Sequence, residues 1–105
     1  MLRIYDDVLQ LVRVLNPLLA QLSAHSPDLA DQGKRALNRV PLRIAEGSYA
    51  RGKNRAAHYH GGAGSLNETL AVFDTAEAAR FIAPLDPEVR NALKRCRNTL
   101  FKNAR

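Results

Sequence analysis

Three histidines, one cysteine and a few carboxylates are the side chains of this sequence that could catalyse a reaction or bind a metal. His58 and His60 are two residues apart, so on a helix they point in different directions and cannot form the i, i+4 pair that holds a metal ion. No Glu-x-x-His segment of the di-iron bundle type is present, and the single cysteine, Cys96, has no partner. Nothing marks a base beside Ser48 or Ser65. We therefore predict no catalytic residue, no metal site and no cofactor.

Glu46 and Glu68 are the two carboxylates with apolar or small neighbours. Glu46 follows Ile44 and Ala45 at the edge of an apolar stripe, and Glu68 lies three residues after Ser65. Paired acids can perform acid–base chemistry, but each can instead accept hydrogen bonds from a neighbouring helix and fix the register of two helices. We favour the structural role and expect both carboxylates to be partly buried and hydrogen-bonded.

Basic residues give the clearest functional signal. The chain has 16 Lys/Arg against 10 Asp/Glu, a formal charge of +6, which favours an anionic partner. Seven basic residues and one acid lie between residues 34 and 55, and Tyr49 and Tyr59 lie within or beside this run, where their rings could stack on bases. We predict a nucleic-acid-binding surface formed by Arg35, Arg39, Arg43, Arg51, Lys53 and Arg55. Because the last three lie off every apolar stripe, we expect their joint replacement by Glu to abolish binding without unfolding the chain.

The elements that must position these residues are helices. At 105 residues the chain predicts one domain, 1–105, and its 46% apolar content, with six aromatic residues and no Trp, suits helices packed on helices. The first helix presents an apolar stripe with spacings of three and four, formed by Ile4, Val8, Leu11, Leu15, Leu18 and Leu22. Pro17 predicts a kink within it, and the helix should end between Ser23 and His25.

The second and third helices carry most of the candidate residues. Ser26-Pro27-Asp28 is a typical helix start, and Pro41 predicts a second kink. Residues 47–54 are either a loop or the end of the second helix; we favour a helix that runs to about Arg51 and stops at Gly52. Asn54 is then the expected cap of a third helix that closes at Phe81 and Ile82. Its three interior glycines, which predict close approach by another backbone, are Gly61, Gly62 and Gly64.

Asp86-Pro87-Glu88 repeats the helix-start pattern and begins a fourth stripe, on which Cys96 is a buried small hydrophobe. Short connections force antiparallel neighbours, so the predicted fold is all-α: an antiparallel up-and-down four-helix bundle. No apolar run reaches the roughly 20 residues that span a bilayer, and the first residues carry two acids where a signal peptide has a basic start. We expect no membrane association and a cytoplasmic location.

Several of these segments together resemble a known family. Five segments match the pattern of the four-helix bundle proteins named for the intervening sequences of 23S rRNA genes. They are LADQ (29–32), Arg35-Ala36, Val40-Pro41, IAEG (44–47) and GSLNE (64–68). The match covers roughly residues 29–69. Two features depart from it: Arg43 replaces the usual Asn before IAEG, and the HGGAG run (60–64) is poorer in large apolar residues than the family's third helix.

The resemblance implies an antiparallel four-helix bundle that forms a ring-shaped homo-oligomer, commonly of five subunits, and it implies no catalytic residues. It also implies binding of RNA or DNA, as supposed for the family. Our first hypothesis is therefore a non-enzymatic, oligomeric nucleic-acid-binding protein, with RNA favoured over DNA. The alternative is a homo-oligomeric scaffold or accessory subunit for a protein partner.

Overall fold

The computed structural model describes all residues 1–105 and consists of four helices with no strand. The helices are α1 (Ile4–Leu22), α2 (Pro27–Tyr49), α3 (Gly52–Ala78) and α4 (Pro87–Asn103). Both α1 and α2 continue through their internal prolines, Pro17 and Pro41. None of the four combines the length and apolarity that crossing a lipid bilayer requires.

The helices form the predicted antiparallel four-helix bundle. Each packs on its neighbour in the chain, most extensively α2 on α3, and α4 closes the arrangement with a smaller contact on α1. Two side-chain hydrogen bonds show that α3 and α4 are antiparallel: Arg90, early in α4, bonds Asp74 late in α3, and Arg97, later in α4, bonds Asn67 earlier in α3 at 3.0 Å. The apolar stripes supply the core, whose largest fully buried side chains include Phe73, Leu15, Leu19, Leu22, Leu37, Ile44, Leu66, Leu93 and Leu100.

Two of the predicted helix starts are confirmed. Ser26 Oγ accepts a hydrogen bond from the Leu29 N–H at 3.3 Å, and the Asp86 carboxylate accepts one from the Glu88 N–H at 2.9 Å. In each case a proline occupies the first helical position, where its missing N–H has no helical partner to lose. These two caps fix where α2 and α4 begin.

The favoured extension of the second helix into residues 47–54 is confirmed as far as Tyr49, whereas the bounds predicted after it are wrong. α2 ends at Tyr49 rather than near Arg51, and Gly52 begins α3, with a φ of +55° that L side chains rarely adopt. Asn54 does not cap α3; the N-cap position is Arg51, which makes no side-chain capping bond. The turn between α2 and α3 is therefore tighter than predicted.

The end of α3 also differs from the prediction. The helix stops at Ala78, and the chain reverses through Arg80, whose φ is +62°. The Phe81 N–H reaches back to the Ala76 carbonyl at 2.9 Å, a bond typical of left-handed helix ends. Phe81 and Ile82 lie beyond the helix and pack, half-buried, against the core.

Candidate nucleic-acid interface

The six predicted binding residues occupy three different environments. Arg51 and Lys53 are exposed at the α2–α3 turn and form no ion pair or side-chain hydrogen bond, and Arg39 is equally free on α2. Arg35 is exposed but pairs with Asp31 at 2.8 Å, as expected for residues one turn apart. The other two, Arg43 and Arg55, bind other parts of the chain. The six residues therefore do not form one uniform basic row.

Arg55 closes the end of α2. Its Nε donates to the carbonyls of Gly47 and Ala50, both at 3.1 Å, and its Nη2 to that of Ser48 at 3.5 Å. These carbonyls are acceptors that a helix end leaves unpaired, and the guanidinium charge lies at the negative end of the helix dipole. Arg55 is therefore not a free surface cation, and because a carboxylate there would repel the same carbonyls, we expect Arg55→Glu to destabilise the end of α2.

Arg43 lies between α2 and α3. Its Nη1 donates to Nδ1 of His58 at 3.2 Å. Oε2 of Glu46 lies 3.5 Å from that Nδ1 of His58. Because a guanidinium has only donors, the His58 ring accepts at Nδ1 in this arrangement. A Cβ at Gly61 would lie 3.2 Å from Nε of Arg43, so the missing side chain at that position lets the guanidinium lie against α3.

The interior glycines of α3 thus have a different role from the predicted one. At Gly61 and Gly62 the close neighbours are side chains, Arg43 and Leu100, rather than another backbone. Gly64 has no atom within 4 Å of an added Cβ, so nothing approaches it. The predicted close approach is therefore wrong at Gly64, whereas at Gly62 the Cβ of Arg43 on α2 would lie 3.5 Å from an added Cβ.

Positive charge is concentrated at one end of the bundle. We divide each helix near its midpoint. One half of the bundle then holds the start of α1, the α2–α3 turn and the end of α4, which are residues 1–12, 39–64 and 96–105. This half has nine Lys/Arg and three Asp/Glu. The other half has seven of each. The whole formal charge of +6 therefore belongs to one half, which we call the basic end. Its cations are Arg3, Arg39, Arg43, Arg51, Lys53, Arg55, Arg97, Lys102 and Arg105.

The length of the bundle keeps its two tips electrically distinct. The long axis measures 42 Å, whereas electrostatic interactions in physiological salt are screened over about 8 Å. A polyanion at the tip of the basic end is therefore little influenced by the acids of the opposite tip, whereas charges near the dividing line interact across it, as Arg95 does with Asp7 at 3.9 Å. Sequence reasoning missed Arg3, Arg97, Lys102 and Arg105, which join this end only because antiparallel helices bring both outer segments of the chain to the α2–α3 turn.

The two tyrosines of the basic run have opposite environments. Tyr59 is 4% exposed and packs its ring against α2 at Gly47, so it cannot stack on a base. Tyr49 is 89% exposed at the last position of α2, two and four residues before Arg51 and Lys53. The sequence did not separate the two residues, although Tyr59 lies on the apolar stripe of its helix and Tyr49 does not.

The expected burial of Glu46 and Glu68 is wrong. Both residues are exposed; Glu46 contacts only His58, and Glu68 accepts no hydrogen bond. The carboxylate with a structural role is Glu77, which accepts the Leu85 N–H at 2.8 Å and a bond from Arg90. Sequence spacing did not reveal Glu77, because its partners lie across the turn between α3 and α4.

The one cysteine of the chain lies in the core. Cys96 is fully buried as predicted, and burial raises the pKa of its thiol, while the charge of Arg95 acts in the opposite direction. A neutral thiol in a core packs as a small hydrophobe. No three His, Cys, Asp or Glu side chains converge in a way that could hold a metal ion.

Comparison with known proteins adds no relative. The chain matches no protein-family model, no curated protein and no solved structure.

Proposed function

We propose that this chain is a non-enzymatic, oligomeric four-helix bundle that binds nucleic acid through phosphate contacts at the basic end. The observation that carries the proposal is the concentration of the whole +6 charge in that half of the bundle. Phosphate backbones bind surfaces of this kind by releasing counterions, with little dependence on base sequence. RNA is proposed ahead of DNA because of the resemblance to the proteins named for intervening sequences of 23S rRNA genes.

The contact between α2 and α3 supports that resemblance. The two departures from the family pattern are Arg43, where Asn is usual, and the glycine-rich run at residues 60–64. In this bundle they meet, since the Arg43 guanidinium occupies the space that a side chain at Gly61 would fill. A larger residue on α2 is thus matched by a smaller one on α3, so both departures are compatible with one shared fold.

The first test measures how affinity depends on salt and on the position of charge. We expect wild type to bind labelled RNA with a log affinity that falls against log salt by about 0.7 per phosphate on single strands and about 0.9 on a duplex. Joint replacement of Arg51 and Lys53 by Glu should weaken binding strongly and make the slope shallower by about two phosphates, because both side chains are exposed and unpaired.

The matched control reverses the same number of charges in the other half. Lys34 and Lys94 are also exposed and form no ion pair, so changing both to Glu alters net charge equally. Affinity should then change less, since Lys34 and Lys94 lie 15 and nine residues before the ends of α2 and α4. At about 1.5 Å per residue these distances are about 22 and 14 Å, compared with a screening length of about 8 Å. Equal losses of affinity in the two double variants would show that only net charge matters. If wild type does not bind RNA at low salt, the protein-partner scaffold is favoured instead.

The proposed assembly is a homo-oligomer, five subunits by resemblance. Leu42 supports self-association because it is 62% exposed at mid-helix on α2, where an isolated bundle places polar residues. Light scattering at micromolar concentration should give a mass about five times the 11.6 kDa of one chain. A mass of 11.6 kDa under these conditions would contradict the proposal.

A further inference from the structure

Tyr49 is the most exposed large apolar residue of the chain, at 89%, compared with 62% for Leu42 and 36% for Phe101. Aromatic rings gain most of their interaction energy by leaving water, so a ring this exposed has a large surface available for a partner. It lies at the basic end, where the excess of positive charge is found. The kind of partner follows from its surroundings.

The backbone on both sides of Tyr49 is held in place. The carbonyls of Gly47, Ser48 and Ala50 all accept hydrogen bonds from Arg55, and the Ala50 N–H donates to the Gly47 carbonyl at 3.2 Å. The exposed ring is therefore presented from a fixed turn rather than from a flexible loop. A tyrosine has only two side-chain torsions, so ordering it against a ligand costs little entropy.

Free cations lie directly after the ring. Arg51 and Lys53 follow Tyr49 by two and four residues, are exposed, and form no ion pair. The nearest carboxylate in the sequence, Glu46, forms no ion pair with either of these cations. An exposed aromatic ring followed in the chain by two free cations is a combination that can bind a base by stacking and the adjoining phosphates by charge.

We infer that Tyr49 stacks on an unpaired base, so that the ligand of the basic end is a single-stranded nucleic acid. This inference rests on the proposed function and specifies its substrate class. In a duplex, the faces of the bases are covered by their neighbours in the stack, so the ring would reach only phosphates or groove edges. A single strand can splay one base onto the ring while its phosphates remain with Arg51 and Lys53.

The test compares Tyr49 variants on a labelled single-stranded RNA of about 12 nucleotides and on the matching duplex. Tyr49→Ala should lower single-strand affinity by about 5- to 150-fold and leave duplex affinity unchanged, whereas Tyr49→Phe should retain both because stacking needs the ring and not the hydroxyl. Val14→Ala, which truncates an exposed apolar residue of α1 outside the basic end, is the control and should bind like wild type.

A direct readout of stacking is available because the chain contains no Trp. In Tyr49→Trp the only indole would be at position 49, and single-stranded RNA should quench its fluorescence while the duplex should not. Circular dichroism of each variant should match wild type, since residue 49 is outside the core.

The outcomes separate this inference from the proposed function. If wild type binds neither RNA at low salt, the basic-end proposal fails and this inference with it. If wild type binds but Tyr49→Ala binds the single strand equally well, stacking is wrong and the phosphate surface remains. If Tyr49→Ala changes only the mass of the assembly, the ring belongs to a contact between copies, and the inference is likewise wrong.

Discussion

Replacing Gly47 with Ala is expected to destabilise the bundle by about 2 kcal/mol, although Ala is the better helix former. A Cβ at this position would lie 2.4 Å from Cε1 and 2.8 Å from Cδ1 of Tyr59. The ring is rigid and 4% exposed, so it cannot move aside without disturbing the contact between α2 and α3. The loss from overpacking therefore exceeds the gain in helix propensity. Chemical denaturation followed by circular dichroism gives the change in unfolding free energy.

Gly64→Ala is the matched control for that experiment. Gly64 also lies inside a helix, but an added Cβ would meet no atom within 4 Å. Helix propensity then acts alone, and we expect stabilisation of up to about 1 kcal/mol. If both substitutions stabilise or both destabilise the bundle, the Tyr59 ring does not crowd Gly47 or the space beside Gly64 is not open.

The fold was predictable from the sequence because its main signals are local. Spacings of three and four between apolar residues fixed the four helices, and Ser26 and Asp86 fixed two of their starts. Bounds failed where a side chain of the next helix decides the outcome: Arg55, six residues after Tyr49 and on α3, caps the end of α2, and the apolar spacing does not predict that contact.

The candidate site was predictable only in part, for the same reason. The run of cations between residues 34 and 55 identified Arg51 and Lys53, which are free in the structure. Whether a cation is free depends on its partners, and those of Arg43 and Arg55 lie on another helix. The basic end itself needed the helix order, because segments nearly 100 residues apart in sequence, at Arg3 and Lys102, contribute to it. Summing charge by bundle end, once the antiparallel order is predicted, would have identified this end from sequence.

The carboxylates show the limit of reasoning from neighbours in sequence. Glu46 and Glu68 have small or apolar neighbours, yet both face solvent. Glu77 has similar neighbours and is 18% exposed in its side chain, because the turn after α3 folds back over it. Burial of a polar group is thus set by chain reversal, and that reversal depends on Arg80 adopting a positive φ.

The role of Glu77 leads to a second stability prediction. Its Oε1 accepts the Leu85 N–H at 2.8 Å, and its Oε2 pairs with Arg90, which also bonds Asp74. Hydrogen bonding to Asp74 raises the pKa of Arg90 above its usual value, and the nearby charge of Glu77 contributes in the same direction, so the guanidinium stays charged at every working pH. One carboxylate therefore joins α3, the following turn and α4.

Glu77→Ala should lower the free energy of unfolding by about 1–3 kcal/mol, because it leaves the Leu85 N–H without its partner and removes one of two carboxylates from Arg90. Glu68→Ala, nine residues earlier on the same helix, is the control: its carboxylate is exposed and accepts no bond, so the change should stay within about 0.5 kcal/mol. Hydrogen exchange should locate the loss, with the Leu85 amide exchanging faster in Glu77→Ala and unchanged in Glu68→Ala. If the two variants unfold at the same denaturant concentration, Glu77 does not hold the turn.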